Sequence, residues 1–187
     1  MRHTRRRFLA GTATLTGAAA LGHGSAVLAQ APASPARPST ATMEAKAPPM
    51  PAVGTPLLLP EVPLFDGSVF RPAQADGQVL VIYWWASDCP FCALQSPEMQ
   101  KLWHSQRSHG LQMLTLSFDR KREDALAYLK KKGYTFPACF VTPEIQSVLP
   151  KPRGLPITLV RGRDGRLLAA EKGQLFPDDV ELLAQWL

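Results

Sequence analysis

The sequence predicts an α/β domain: a mixed central sheet flanked by helices, entered through an N-terminal β-hairpin. Three observations carry this reading. Val79-Leu80-Val81-Ile82-Tyr83-Trp84 is an apolar run without Gly or Pro, the pattern of a strand buried on both faces. Two Asp-Gly pairs, Asp66-Gly67 and Asp164-Gly165, each sit between apolar segments and mark hairpins. The order β-α-β-α-β-β-α suits a mixed sheet covered by helices.

The elements follow in order. Val62–Phe65 and Ser68–Phe70 flank the first hairpin turn. After the buried strand, a helix is expected from about Pro90 to Ser108, with Leu94, Leu102 and Trp103 inward and Gly110 as its stop. Pro97 lacks an amide proton and predicts a kink there. Leu111–Phe118 is the next strand and Glu123–Lys132 the next helix, with three lysines in its last turn and Gly133 after it. Phe140-Val141 reads as a short strand and Glu144–Leu149 as a helical turn. Ile157–Arg161 and Arg166–Ala170 pair around the second hairpin turn. Pro177-Asp178-Asp179 opens a closing helix that turns Val180, Leu183, Trp186 and Leu187 inward.

Composition narrows the function classes. The chain has 187 residues, 45% of them hydrophobic and 19% charged, which excludes a disordered chain. Three cysteines cannot frame a disulfide-stapled scaffold. The net charge of +6 hints at a polyanion partner, but Arg2, Arg5, Arg6 and Arg7 supply four of those charges. Without residues 1–29 the excess is +2, from 17 basic and 15 acidic residues. Basic n-region, apolar stretch from Phe8 and the small residues Val27-Leu28-Ala29 make a secretory signal, cleaved after Ala29. Thr4-Arg5-Arg6-Arg7-Phe8-Leu9 resembles a bacterial twin-arginine export signal, which implies a periplasmic protein. Retention as an inner-membrane anchor facing the periplasm is the alternative; His23 and the glycines and threonines of the apolar stretch weigh against it. Residues 30–56 are rich in Ala, Pro, Ser and Thr and read as a flexible linker, leaving 57–187 as the folded domain.

The chemistry sits at one junction. Cys89-Pro90-Phe91-Cys92 follows the buried strand and opens a helix. Unpaired N–H groups and the helix dipole favour a thiolate at Cys89. One turn of helix brings Cys92 within bonding distance, so the pair can cycle between dithiol and disulfide. Cys89 is then the outward nucleophile and Cys92 the resolving thiol.

Around this junction the sequence resembles the thioredoxin superfamily, and within it the exported TlpA/ResA-like thiol–disulfide oxidoreductases. The residues that carry the resemblance are Trp85-Ala86-Ser87, Cys89-Pro90-Phe91-Cys92 and Pro97, then Gly154-Leu155-Pro156, Asp164-Gly165 and Gly173-Gln174-Leu175. It covers about residues 60–187 and implies a thioredoxin-like fold. It also implies that Pro156 is a cis-proline beside the active-site disulfide; a trans proline opening an edge strand is the alternative. The backbone of Leu155 would pair with a substrate strand, and Trp85, Pro90 and Phe91 would complete the substrate surface.

The departures from the pattern are informative. Many relatives have Trp before the first cysteine, where this chain has Asp88. A carboxylate there opposes thiolate formation and makes the couple more reducing, unless Asp88 points to solvent or caps the helix. Thioredoxin itself has a buried acid six residues before its first cysteine; this chain has Tyr83, and Glu98 is a candidate substitute beside the reading of a solvated helix face. Cys139, among Phe136, Pro137, Ala138 and Phe140, is either an inert buried thiol or an additional resolving or intermolecular one. His104 and His109 lie about 18 Å or more along the helix from Cys89, too far to serve it. The remaining basic residues form separate short clusters, which excludes a nucleic-acid stripe.

The expectation is therefore a monomeric periplasmic thiol–disulfide oxidoreductase, leaning toward reduction. It exchanges disulfides with protein substrates, needs no cofactor beyond its own redox-active disulfide and no metal, and draws electrons from a membrane donor. A Cu(I)-binding metallochaperone using Cys89, Cys92 and Cys139, a dithiol oxidase of the same fold, and a non-catalytic interaction domain are the alternatives.

Overall fold

A computed structural model describes residues 47–187. The expected export signal, its expected cleavage site and residues 30–46 of the expected linker lie outside the described residues. Strand β3 (Val79–Trp85) forms the spine and all seven of its residues are buried. It runs parallel to β4 (Leu111–Ser117) on one side and antiparallel to β6 (Ile157–Arg161) on the other. β5 (Ala138–Phe140) extends the sheet beyond β4 in parallel, and β7 (Leu167–Lys172) beyond β6 in antiparallel, giving the order β5-β4-β3-β6-β7. The hairpin of β1 (Val62–Pro63) and β2 (Val69–Phe70) is a separate two-stranded sheet, with Asp66 accepting from Ser68 N in its turn.

Alternation along β3 divides the core in two, because successive side chains of a strand point to opposite faces. Val79, Val81, Tyr83 and Trp85 face helices α1 (Pro90–Gln106), α2 (Arg122–Lys132) and α4 (Pro177–Leu182). Leu80, Ile82 and Trp84 face the hairpin, Ala75 and helix α3 (Pro143–Val148). α2 ends as its composition predicts. Lys130–Lys132 fill the last turn, and Gly133 at φ 69° lets Tyr134 N reach back to Leu129 O at 3.1 Å.

Helix α1 differs from its expected inward face. It runs through Pro97 to Gln106, continued by a 3₁₀ turn to His109. Leu94 is 62% exposed, Trp103 half-buried, and Gln95 and Ser96 are buried instead. Hydropathy alone misplaces the face, because Gln95 finds hydrogen-bond partners inside. At the C-terminus Val180 and Leu183 are buried as expected, whereas Trp186 is 37% exposed on a terminal 3₁₀ turn.

The end of the segment read as linker, Gly54–Pro56, is tied to the sheet together with Leu57. Gly54 N donates to Leu167 O (2.7 Å), Leu167 N to Thr55 O (2.9 Å) and Leu57 N to Gly165 O (3.0 Å). Met50, Leu57 and Leu59 pack on the core. β7 is an edge strand, and a Pro-rich segment without any apolar periodicity of its own pairs with its first residue and with the turn before it. A chain beginning at Leu57 is expected to melt several degrees below one beginning at Ala47, since each lost hydrogen bond is worth about 1 kcal/mol and its packing adds to that. Equal melting temperatures would show that the strap contributes nothing.

Candidate active site

Parallel β3 and β4 both end at one pole of the sheet, and antiparallel β6 begins there, its Ile157 opposite Trp84. Three loops therefore converge: Ala86–Cys89 after β3, Phe118–Lys121 after β4, and Lys151–Pro156 before β6. Catalytic residues collect at the carboxyl ends of parallel strands for this geometric reason.

Cys89 is the N-cap of α1 and Pro90 its first residue, a position where a missing amide proton costs nothing. Cys89 and Cys92 form a disulfide with Cα atoms 5.2 Å apart. Cys89 is partly exposed and Cys92 fully buried, the asymmetry expected of an attacking and a resolving sulfur. Cys92 N donates to Cys89 Sγ at 3.1 Å. The Leu155–Pro156 peptide is cis, with Pro156 buried and Leu155 half-buried. Pro90 and Phe91 are exposed, Phe91 by 57%.

Asp88 is exposed and does not cap α1, because the cap is the sulfur of Cys89. Trp85 does not face a substrate: it is fully buried, its Nε1–H donates to Thr115 Oγ1 (3.3 Å), and its ring lies 5.5 Å from that of Tyr128. Strand parity puts it under the helices, away from the exposed Pro90 and Phe91. Tyr83 donates from its hydroxyl to Cys92 O (3.3 Å) and shares a 3.0 Å hydrogen bond with Ser96 Oγ. Burial pushes its ionisation well above the usual phenol range, so it holds its proton. Glu98 is paired with Lys101 Nζ at 2.8 and 2.9 Å, half a helical circumference from Cys89. His104 and His109 contact Thr135 and Ser105, away from the cysteines.

Cys139 belongs to the core on the opposite face of the sheet from Cys92. It can neither resolve the pair nor complete a ligand set with it. Burial pushes its thiol up to about 12 from an ordinary 9.0. The neutral form is the one the fold favours. Its contribution to stability is whole below pH 9.0 and is lost as pH rises toward 12.

Side chains that the sequence did not single out hold the loops in place. Asp119, buried just beyond β4, accepts from Ser87 N (2.9 Å), from the Ser87 hydroxyl, and from Ser117 Oγ (2.7 Å). It thus clamps the turn that delivers Cys89. Gln95 Nε2 donates to Thr158 Oγ1 (2.9 Å) while its Oε1 accepts from Leu175 N (2.9 Å), tying α1 to β6 and to the loop before α4. The sequence signal for Asp119 was its position, an acid at the carboxyl end of a buried strand. For Gln95 there was none.

Comparison with known proteins agrees with this geometry. The model of the AhpC/TSA family matches residues 53–140. A search of curated proteins finds no match. Among solved structures, the chain is similar to a thiol:disulfide interchange protein of the thioredoxin family from Chlorobium tepidum TLS (21% identity, TM-score 0.64), covering 72% of this chain and 97% of that one. It is similar also to a Chlorobium tepidum protein assigned as thiol:disulfide interchange protein DsbE (26%, TM-score 0.61; 72% and 94% covered). A third is StoA from Bacillus subtilis (19%, TM-score 0.58; 73% and 98% covered).

Two outcomes are expected of the site. In the oxidised protein at pH 8, Ellman's reagent should find no thiol until denaturant is added, and then one; rapid labelling of the native protein would contradict the burial of Cys139. Asp119→Ala should cost about 2–3 kcal/mol in urea unfolding, because it strands buried donors, and Asp119→Asn about half of that. If Asp119→Ala is as stable as wild type, the clamp does not hold the loop.

Proposed function

We propose that this thioredoxin-superfamily thiol–disulfide oxidoreductase works as an exported, monomeric reductase of protein disulfides. The observation that carries the reading is the Cys89–Cys92 disulfide at the N-terminus of α1, one sulfur partly exposed and the other buried. In the reduced protein, the Cys92 N–H beside Cys89 Sγ and the first-turn dipole stabilise a thiolate at Cys89.

The exchange balances as follows. The Cys89 thiolate attacks one sulfur of a substrate disulfide. A Cys89–substrate bond forms, and the substrate's other sulfur leaves as a thiolate that takes up a proton. Cys92, deprotonated, then attacks Cys89 Sγ. The intramolecular disulfide forms and the second substrate thiol is released. Two electrons have passed from the dithiol to the substrate, so a membrane dithiol donor must restore the pair; no other cofactor takes part. Pro90, Phe91 and the Leu155 backbone form the substrate surface.

Residues 1–29 as a cleaved signal and the following linker as a tether support a periplasmic setting. Among the described residues no helix is long and apolar enough to cross a membrane. The lean toward reduction rests on the resemblance to TlpA/ResA-like proteins, because Asp88 is exposed and its solvated carboxylate weighs little on the direction of exchange. The copper-chaperone reading loses its third sulfur, since Cys139 is walled off by the sheet.

Protein starting at Gln30 should catalyse insulin reduction by dithiothreitol. Cys89→Ser should abolish it, and Cys92→Ser should accumulate mixed disulfide; activity surviving Cys89→Ser sinks the mechanism. The midpoint potential should fall near about −270 mV, whereas a value near about −120 mV would identify an oxidant. Stoichiometric Cu(I) held without turnover would favour the chaperone.

A further inference from the structure

Lys151 is 2% exposed, and lysine is almost never buried so completely. Its Nζ donates to the carbonyl oxygens of Pro152 (2.8 Å) and Gly154 (2.9 Å) and stands 4.7 Å from the centroid of the Phe118 ring. Desolvating an ammonium is expensive, so a chain that buries one holds it with directed contacts. These contacts bridge two of the three converging loops. Phe118 N is bonded to Trp85 O, and the next residue is the Asp119 that clamps Ser87. The backbone of Leu155, just beyond the anchored carbonyls, has no hydrogen-bond partner among the described residues. An unpaired N–H and C=O on a half-buried residue of the loop before β6 can accept one residue of an extended peptide.

We propose that Lys151 is a positioning residue for the exchange reaction: its buried ammonium pins the Pro152 and Gly154 carbonyls against Phe118 and so holds the Leu155 backbone where a polypeptide substrate pairs with it. The inference rests on the function proposed above, in which the Leu155 backbone is already part of the substrate surface, and adds the buried side chain that holds it there.

The test compares two electron acceptors. Insulin presents its disulfides on peptide backbone; Ellman's reagent presents one without any. In the full protein from Gln30, Lys151→Met keeps the stem and removes the ammonium. It should raise the KM for insulin about tenfold, the size of one lost charge-assisted hydrogen bond, with kcat within about twofold. The rate with Ellman's reagent should fall by at most about twofold. An unchanged insulin KM in a folded variant overturns the inference. So does an equal loss on both acceptors, which makes Lys151 a support of the fold alone. Should Lys151→Met fail to fold by circular dichroism, Phe118→Leu decides: it keeps the packing and removes the ring face, and the insulin KM should rise about threefold, a cation–π contact being the weaker tie. No change there overturns the inference as well. If wild-type protein reduces neither acceptor, it is the proposed function that fails; activity on both with unaltered variants removes only the role of Lys151.

Discussion

Everything at the site hangs from the pairing of β3 on both edges. Seven consecutive buried residues, hydrogen-bonded to β4 on one side and β6 on the other, leave the strand no freedom of register. A slip of one residue would exchange Tyr83 and Trp85 for Trp84 and bring each to the wrong face. The position of Cys89 is therefore set by the length of β3 and the short turn after it. The position of Pro156 is set by the antiparallel register that places Ile157 opposite Trp84. Two residues distant in sequence meet because a third element measures both.

On this frame the polar side chains act as ties. Apolar packing locates elements to within side-chain tolerance, while hydrogen bonds fix direction. Asp119, Gln95 and Lys151 each join elements that the sheet brings near without binding: turn to strand end and helix to strand by hydrogen bonds, and loop to loop by the Lys151 ammonium over the Phe118 ring. Each is almost completely buried, where an unsatisfied polar group is costly. Such groups reward one arrangement of the loops and penalise the rest. This is how loops of unremarkable sequence come to hold a reactive pair in a defined place.

The frame and the cysteine pair were legible in the sequence because each rests on a local pattern. The apolar run of β3, the Asp-Gly turns and Cys89-Pro90-Phe91-Cys92 at a strand–helix junction need no distant information. The ties were not legible, since a buried Gln or Lys is recognisable only by partners 63 residues away in the case of Gln95 and Thr158. The same blindness turned Leu94 inward on paper and gave Trp85 a substrate to touch. The strap at Gly54–Leu57 escaped notice for the converse reason. It supplies backbone groups to an edge, and backbone groups leave no mark in composition.

The division of the core by the sheet has a consequence for how the chain acquires its disulfide. Three thiols allow several pairings, and the wrong ones trap a chain that closes too early. Cys139 faces one side of the sheet while Cys92 faces the other, so a bond between them requires β4 and β5 to come apart. Mispairing is thereby confined to the unfolded chain. Once the sheet has formed it acts as a partition, and the native topology proofreads the redox chemistry without any enzyme's help.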